Sequence, residues 1–187
     1  MTAKSLKLSE KLRPDCGACC GLCCVAPAFD ATQGFGFDKP AHTPCRNLQS
    51  DYRCLIHDRL EENGFPGCVV FDCYGAGQRI THEMFQGATW KDSPETAKNM
   101  FQAFTRLCVM HELMALLTVA LERVSEKDFQ IKLSGRLHEI ESLCQAEMVS
   151  PGETDITVIK HQTMELLRGL ESTSAASALK SQIRIDS

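Results

Sequence analysis

Cysteine is the residue type in this chain whose number and spacing could support chemistry. The sequence has 187 residues and 11 cysteines, and nine of these lie between Cys16 and Cys73. Thiolates are soft ligands that suit zinc and iron–sulfur cores. An odd number of cysteines also cannot pair completely into disulfides. The pattern therefore predicts a metal centre in the N-terminal half rather than a disulfide framework.

The densest cysteine motif is CGACCGLCC, which runs from Cys16 to Cys24. Two thiols that are two residues apart can bend onto one metal ion through a tight turn, and the glycines between them loosen the backbone. Neighbouring residues usually point apart. We therefore expect Cys23 and Cys24 to serve different ions, or one of them to bind and the other to pack.

Four more cysteines follow downstream, and setting Cys20 aside leaves eight candidate ligands. They are Cys16, Cys19, Cys23, Cys24, Cys45, Cys54, Cys68 and Cys73. Eight thiolates would fill two tetrahedral four-sulfur sites or hold one or two iron–sulfur clusters. His57, three residues after Cys54, is a reserve ligand if both lie on one helix face. Cys108 and Cys144 lie on apolar stripes, where free cysteines usually pack as small hydrophobes.

Composition excludes several classes of protein. The 43% of hydrophobic residues argues against a disordered chain, and the net charge of −4 argues against a general nucleic-acid binder. No apolar run reaches the ~18 residues of a membrane span. The N-terminal residues MTAKSLKLSEKLRPD lack the apolar stretch of a secretory signal. We therefore expect a cytoplasmic protein with no nucleic-acid or membrane partner.

Glycine and proline interrupt the N-terminal half, so loops with short helical turns are expected there. One short helix is predicted from Asp51 to Asn63, ended by Gly64 at the position after the C-cap. The segment Val69–Phe71 is predicted to be a brief strand or a packed loop.

The C-terminal half has helical periodicity. Ser93 and Pro94 are a typical N-cap and first helical residue. The run Leu107–Leu121 is apolar nearly all round, which predicts a helix buried in a bundle or against a twin subunit. His111 in this run is expected to be a hydrogen-bonded core histidine. Two further helices are predicted.

These two helices cover about Glu126–Met148 and about Thr154–Leu170, each with an apolar stripe. The expected fold is mainly α, with an irregular cysteine-rich N-terminal module, stapled by metal, packed on a C-terminal helical bundle. The expected domains are a metal-binding module at residues 13–90, a three-helix region at residues 91–170 and a flexible tail at residues 171–187.

Four motifs together resemble one known family. They are CGACCGLCC, PCRNL (Pro44–Leu48), CLIHDR (Cys54–Arg59) and GFPGCVVFDC (Gly64–Cys73). They are similar to the YkgJ-type family, which comprises bacterial domains described as zinc- or iron-chelating and named for a CxxCxxCC motif. The resemblance is closest to the version found ahead of some bacterial pentapeptide-repeat proteins, and it spans about Arg13 to Gln78.

The resemblance implies eight metal-ligand cysteines, and these map onto the eight candidates above. The first cluster here is one residue longer than the family motif, unless Cys20 takes the place of Cys19 as a ligand. The chain also has no pentapeptide repeats, so nothing known of such repeats carries over.

Three functions follow from the sequence. The first is a cytosolic metal-binding protein that holds zinc or an iron–sulfur cluster through eight thiolates. The second is a cluster-dependent redox or group-transfer enzyme, because flagellin lysine methylases carry a similar cysteine cluster, although no cofactor loop or general base is apparent. The third is an interaction module with structural zinc, in which Leu107–Leu121 forms a homodimer or binds another protein.

Overall fold

The structure is a computed structural model that describes residues 10–149, residue 152 and residues 155–171. The described chain is mainly helical, as predicted. Its N-terminal part consists of loops and short helices, and its C-terminal part consists of long helices. From residue 172 onward the predicted tail lies outside the described residues.

Short elements carry the N-terminal part. The α-helices are α1 (Leu22–Val25), α2 (Pro66–Val70) and α3 (Ala76–Arg79), and 3-10 turns occur at Cys16–Ala18, Ala31–Gln33 and His57–Arg59. A π-helical turn at Ile80–Met84 follows α3 directly. Within the described residues, β structure is confined to two isolated antiparallel bridges, Phe29–Lys39 and Leu48–Cys54.

The helix predicted over Asp51–Asn63 is wrong. Cys54 instead pairs with Leu48 in an antiparallel bridge. The side chain of Asp51 accepts a hydrogen bond from the backbone N–H two residues later, at 3.0 Å. Such a local side-chain bond offers the backbone an alternative to the helix. Helical structure in this range is confined to the 3-10 turn at His57–Arg59.

The segment Val69–Phe71, predicted as a strand or packed loop, lies at the end of helix α2. Pro66 is the first residue of α2, where its missing N–H leaves no hydrogen bond unmade. The N–H of Phe71 donates to the Gly67 carbonyl at 3.2 Å and closes the last turn. The Val70 side chain is 83% exposed, so this helix does not contribute it to the core.

The long helices are α4 (Pro94–Arg123), α5 (Lys127–Val149) and α6 (Ile156–Glu171). The predicted start of α4 is confirmed, because the Ser93 side chain accepts a hydrogen bond from the Thr96 N–H at 3.0 Å. By length and composition α4 could cross a membrane, contrary to the expectation that no apolar segment is long enough. The core helix of a soluble protein passes the same test, and α4 supplies many of the core residues here.

Helices α5 and α6 cover α4 with the predicted stripes. Leu133, Ile140 and Cys144 of α5 are fully buried. The Cys144 sulfur lies 3.8 Å from the Met110 sulfur and 3.9 Å from the Met114 sulfur. The expectation that this cysteine packs in the core is therefore confirmed.

Buried polar contacts fix the bundle. Arg106 of α4 donates two hydrogen bonds to the Glu147 carboxylate of α5, at 2.5 and 3.1 Å, and that carboxylate is fully buried. Arg136 of α5 donates to the Thr163 hydroxyl (2.9 Å) and to the Ile159 carbonyl (2.8 Å) of α6. A bidentate charged pair has a defined geometry, so these contacts set how the helices align.

Candidate metal centre

Backbone turns present the cysteines of the first cluster. Asp15 accepts a hydrogen bond from the Gly17 N–H at 2.8 Å and starts the 3-10 turn that contains Cys16. Gly21 has a φ of 73°, which favours glycine, and a Cβ there would lie 2.9 Å from the Leu48 side chain. The chain thereby reverses just before α1, which carries the next pair of thiols.

That pair is Cys23 and Cys24 in α1. Their sulfur atoms lie 3.9 Å apart. The carbonyl of Cys24 accepts a hydrogen bond from the Cys45 N–H at 2.9 Å, which ties a distant cysteine to the end of α1. The thiolate of Cys23 also raises the pKa of Cys16 and of Cys68, which come from other parts of the N-terminal half.

One set of thiols lies on the Cys16 side of this pair, and we call it the first thiol group. It consists of Cys16, Cys19, Cys23 and Cys73. Burial raises the pKa of Cys16, and the neighbouring thiolates of Cys23 and Cys73 raise it further. Burial likewise raises the pKa of Cys19 to about 12, and the thiolates of Cys20 and Cys23 raise it further.

Gly77 provides the space for this group. A Cβ atom at Gly77 would lie 2.6 Å from the Cys19 sulfur and 3.9 Å from the Cys73 sulfur. No real Cβ approaches sulfur so closely, so the residue at this position of α3 has to lack a side chain. The sulfurs of Cys19 and Cys73 thus both pack against the backbone of Gly77.

The remaining thiols form the second thiol group. It consists of Cys24, Cys45, Cys54 and Cys68. Burial raises the pKa of Cys68 to about 11, and the thiolates of Cys23, Cys45 and Cys54 add to this effect. The Leu48–Cys54 bridge brings Cys54 back beside the Cys45 loop. The thiolate of Cys23 raises the pKa of members of both groups, Cys16 and Cys68.

The two reserve ligands lie elsewhere. Cys20 is 2% exposed within the apolar core, and its N–H donates to the Thr81 hydroxyl at 3.3 Å. The indole N–H of Trp90 donates to the Cys20 carbonyl at 2.8 Å. The His57 ring is exposed, with Nδ1 3.6 Å from the Asp58 carboxylate. Cys20 therefore lies in the core beside Cys19, whose pKa its thiolate raises, and the His57 ring lies at the surface.

Cys108 is the thiol whose surroundings sequence reasoning missed. It lies on α4 and is half-buried. Burial raises its pKa, and the thiolates of Cys73, Cys23 and Cys19 raise it further. All three belong to the first thiol group. The position of Cys108 on an apolar helical stripe correctly predicts that it packs against other residues. The stripe does not indicate that these residues belong to a loop of the N-terminal half.

A buried lysine lies beside the thiols. Lys39 is 4% exposed, and its ammonium group donates to the carbonyls of Pro27 (2.5 Å) and Pro40 (3.2 Å). Burial lowers the pKa of Lys39, whereas the nearby thiolates of Cys45 and Cys24 raise it. The Lys39 ammonium group therefore lies beside two members of the second thiol group.

The comparisons with known proteins give relatives but no established activity. Over 132 residues, which are 71% of this chain and 47% of the relative, the chain is 43% identical to YybG of Bacillus subtilis (strain 168), a protein described as uncharacterized. Over 43 residues, 22% of this chain and 51% of the relative, it is 42% identical to the UPF0153 protein YeiW of Escherichia coli (strain K12).

The chain spans about half the length of these curated relatives. No family model matches the chain. No solved structure matches it either. The UPF0153 family is cysteine-rich, which agrees with the cysteine clusters of this sequence. The similarity to the YkgJ-type family stays a prediction.

The cysteines have the right chemistry to bind a metal ion, but their side chains are not yet close enough together to do so. The cysteines all lie within the described residues and are free thiols. Thiolates are the donors that zinc or an iron–sulfur core takes, and Gly77 leaves room for the sulfurs of Cys19 and Cys73. In the described part of the chain, however, no three His, Cys, Asp or Glu side chains converge closely enough to hold one ion. The sulfurs of a group have to draw together for binding.

Proposed function

We propose that this protein is a cytoplasmic metal-binding protein that holds zinc or an iron–sulfur cluster through eight cysteine thiolates. The proposed ligands are Cys16, Cys19, Cys23, Cys24, Cys45, Cys54, Cys68 and Cys73. The observation that carries the proposal is that thiols from separate loops lie close enough to raise one another's pKa, with Cys23 acting on both Cys16 and Cys68.

The division of the thiols supports two adjacent centres. Each thiol group has four members, and four thiolates complete a structural zinc site or ligate one iron–sulfur cluster. Cys23 and Cys24 are adjacent in α1, so the two proposed centres would be neighbours. We therefore expect two zinc ions or two clusters for each chain.

Metal would also order the N-terminal half. Its helices are short, and turns and isolated bridges connect them. Elements of this size are marginal by themselves, because few hydrogen bonds repay the backbone entropy that they cost. A metal that binds the folded chain adds its binding free energy to the free energy of unfolding.

The direct test is metal analysis of protein purified without added metal and without oxygen. We expect either about two zinc ions per chain and no colour, or iron with sulfide and a brown colour. Removal of the metal by a chelator should lower the melting temperature Tm. Wild-type protein that carries no metal, takes up none, and melts at the same Tm after chelation would contradict the proposal.

The variant Cys144→Ala serves as a matched control in this test. Cys144 is buried between two methionines and lies outside both thiol groups. Its replacement should leave the metal content unchanged. A loss of metal in Cys144→Ala equal to that in Cys45→Ala would mean that general destabilisation, rather than lost ligation, governs metal content.

The alternative functions stay predictions. A homodimer through Leu107–Leu121 needs a free apolar face, whereas Leu107, Leu113 and Leu117 are already buried within the chain. Sizing chromatography tests the dimer.

A redox or methylase-like activity would require a substrate site beside the thiols. A thermal-shift experiment with S-adenosylmethionine tests this hypothesis.

A further inference from the structure

One face of α4 runs along the segment that contains Cys73. At one end, the rings of Phe71 and Phe104 lie with their centroids 6.4 Å apart. At the other end, His111 Nδ1 lies 2.7 Å from the Tyr74 carbonyl oxygen. These two contacts fix the alignment of the segment on the helix, because they join its two ends to two known positions of α4.

Cys108 lies between these two positions on the same helical face. It follows Phe104 by four residues and precedes His111 by three, and such residues lie one above the other. The helix rises about 10 Å from Phe104 to His111. The chain from residue 71 to residue 74 can span at most about 10 Å. The middle of the helical face is therefore opposite the middle of the segment, where Cys73 lies.

The electrostatic surroundings of Cys108 agree with this alignment. Besides burial, the largest influence on its pKa is the thiolate of Cys73, followed by those of Cys23 and Cys19. No member of the first thiol group comes from the long helices. Cys108 is thus a thiol of the helical bundle that faces this group.

We propose that Cys108 is a further metal ligand, which reaches from α4 into the first thiol group beside Cys73. This inference rests on the proposed function and adds a ninth thiol to it. With Cys108 as a ligand, the first centre has four sulfurs even if Cys23 binds the metal of the second thiol group instead. It also makes metal binding a direct link between the N-terminal part and α4.

The test compares Cys108→Ala with Cys144→Ala, since both remove a thiol from the packed faces of the bundle. Cobalt(II) alone is the probe, because sulfur-to-cobalt charge-transfer absorption increases with the number of bound thiolates. We expect Cys108→Ala to lower this absorption and to weaken zinc binding in competition with a chelator by at least about tenfold, as even outer-shell changes around a metal cost that much. Cys144→Ala should match the wild type.

Two results would overturn the inference. If wild-type protein binds cobalt and Cys108→Ala has the same spectrum and affinity as Cys144→Ala, Cys108 is not a ligand while the proposed function stands. If the wild type binds neither cobalt nor zinc, the proposed function fails and the inference fails with it.

A measurement on the wild type covers the case in which Cys108→Ala does not fold. Alkylation of each cysteine is followed by mass spectrometry with and without bound zinc. Zinc should slow alkylation of Cys108 at least about tenfold, as for the other ligands, and leave the rate at Cys144 unchanged, because a metal-bound thiolate is a poor nucleophile. Equal rates at Cys108 in the two states would overturn the inference.

Discussion

His111 of α4 holds the loop that follows Cys73, because its Nδ1 atom lies 2.7 Å from the Tyr74 carbonyl oxygen. On the other side of the ring, Arg79 Nη1 lies 3.1 Å from His111 Nε2. A guanidinium group only donates hydrogen bonds, so Nε2 accepts and Nδ1 carries the proton. The prediction of a hydrogen-bonded core histidine is confirmed, and the histidine joins the bundle to the first thiol group.

Replacement of His111 by alanine should destabilise the protein. The side chain is 1% exposed, and its loss leaves the Tyr74 carbonyl and one Arg79 N–H without this partner. An unsatisfied buried polar group costs about 1–3 kcal/mol. Urea unfolding of the metal-free protein measures the change. The control is His138→Ala at an exposed position, which we expect to change the free energy of unfolding by less than about 0.5 kcal/mol.

Acid should destabilise the protein through the same histidine. Burial lowers the pKa of His111 from 6.5 to about 4. Between these two pH values the unfolded chain binds a proton at His111 that the folded chain does not bind. The contribution of His111 to the free energy of unfolding is therefore fully present above pH 6.5 and decreases as the pH falls towards 4. The loss approaches about 3 kcal/mol, at 1.36 kcal/mol for each pKa unit.

Urea unfolding at a series of pH values tests this effect. The variant His111→Gln keeps a polar side chain but has no proton to gain in this range. It should therefore lose less stability than the wild type as the pH falls. Parallel pH profiles for the two proteins would show that other groups cause the acid sensitivity.

The long helices could be predicted from sequence because they are amphipathic and locally capped. The stripe of Leu133, Ile140 and Cys144 repeats at helical spacing, and Ser93 starts α4 as expected. The region of Asp51–Asn63 has no such periodicity. There a side-chain hydrogen bond from Asp51 and a bridge from Cys54 outweigh helix propensity, and the composition alone does not report either contact.

The eight candidate thiols could be proposed from their density, but their grouping could not. Cys54 and Cys68 approach Cys45 because loops of irregular structure fold back on α1, and no spacing rule predicts such loops. Cys108 was read as a core residue because its helix is apolar. Cys73, whose thiolate raises the pKa of Cys108, comes from a segment more than thirty residues earlier in the chain.

Cys19 and Cys20 should differ in their effects on metal binding. Cys19 faces Gly77 and Cys73, whereas Cys20 lies in the apolar core beside Thr81. We expect Cys19→Ala to lower the zinc content measured by elemental analysis, because the first centre loses a ligand. Cys20→Ala should keep the zinc content and lower the Tm of both the loaded and the metal-free protein. The reverse pattern would identify Cys20 as the ligand.

Gly77→Ala should impair metal binding while retaining every thiol. The added Cβ would lie 2.6 Å from the Cys19 sulfur and would push that sulfur away from Cys73. We expect the zinc affinity to fall by at least about tenfold. Gly135→Ala is the control, because a Cβ there meets nothing within 4 Å. It should leave zinc binding unchanged and stabilise α5 by about 0.5–1 kcal/mol. Equal zinc affinities in the two variants would contradict the role of Gly77.

The metal-free protein should lose stability in alkali, and bound metal should prevent part of that loss. Burial raises the pKa of Cys68 to about 11 and that of Cys19 to about 12, from 9.0. Above pH 9 the unfolded chain releases thiol protons that the folded metal-free chain retains, so its free energy of unfolding falls as the pH rises towards these values. Metal-bound sulfurs are already thiolates, so the loaded protein lacks this contribution.

Thermal unfolding at neutral pH and above pH 9, with and without zinc, measures this difference. Other groups that ionise in alkali act on both forms alike, so the gap in Tm between loaded and metal-free protein isolates the thiols. We expect the gap to widen with pH in the wild type, and to widen less in a Cys19→Ala, Cys68→Ala double variant. A gap that stays constant with pH would mean that these thiols do not exchange their protons for metal.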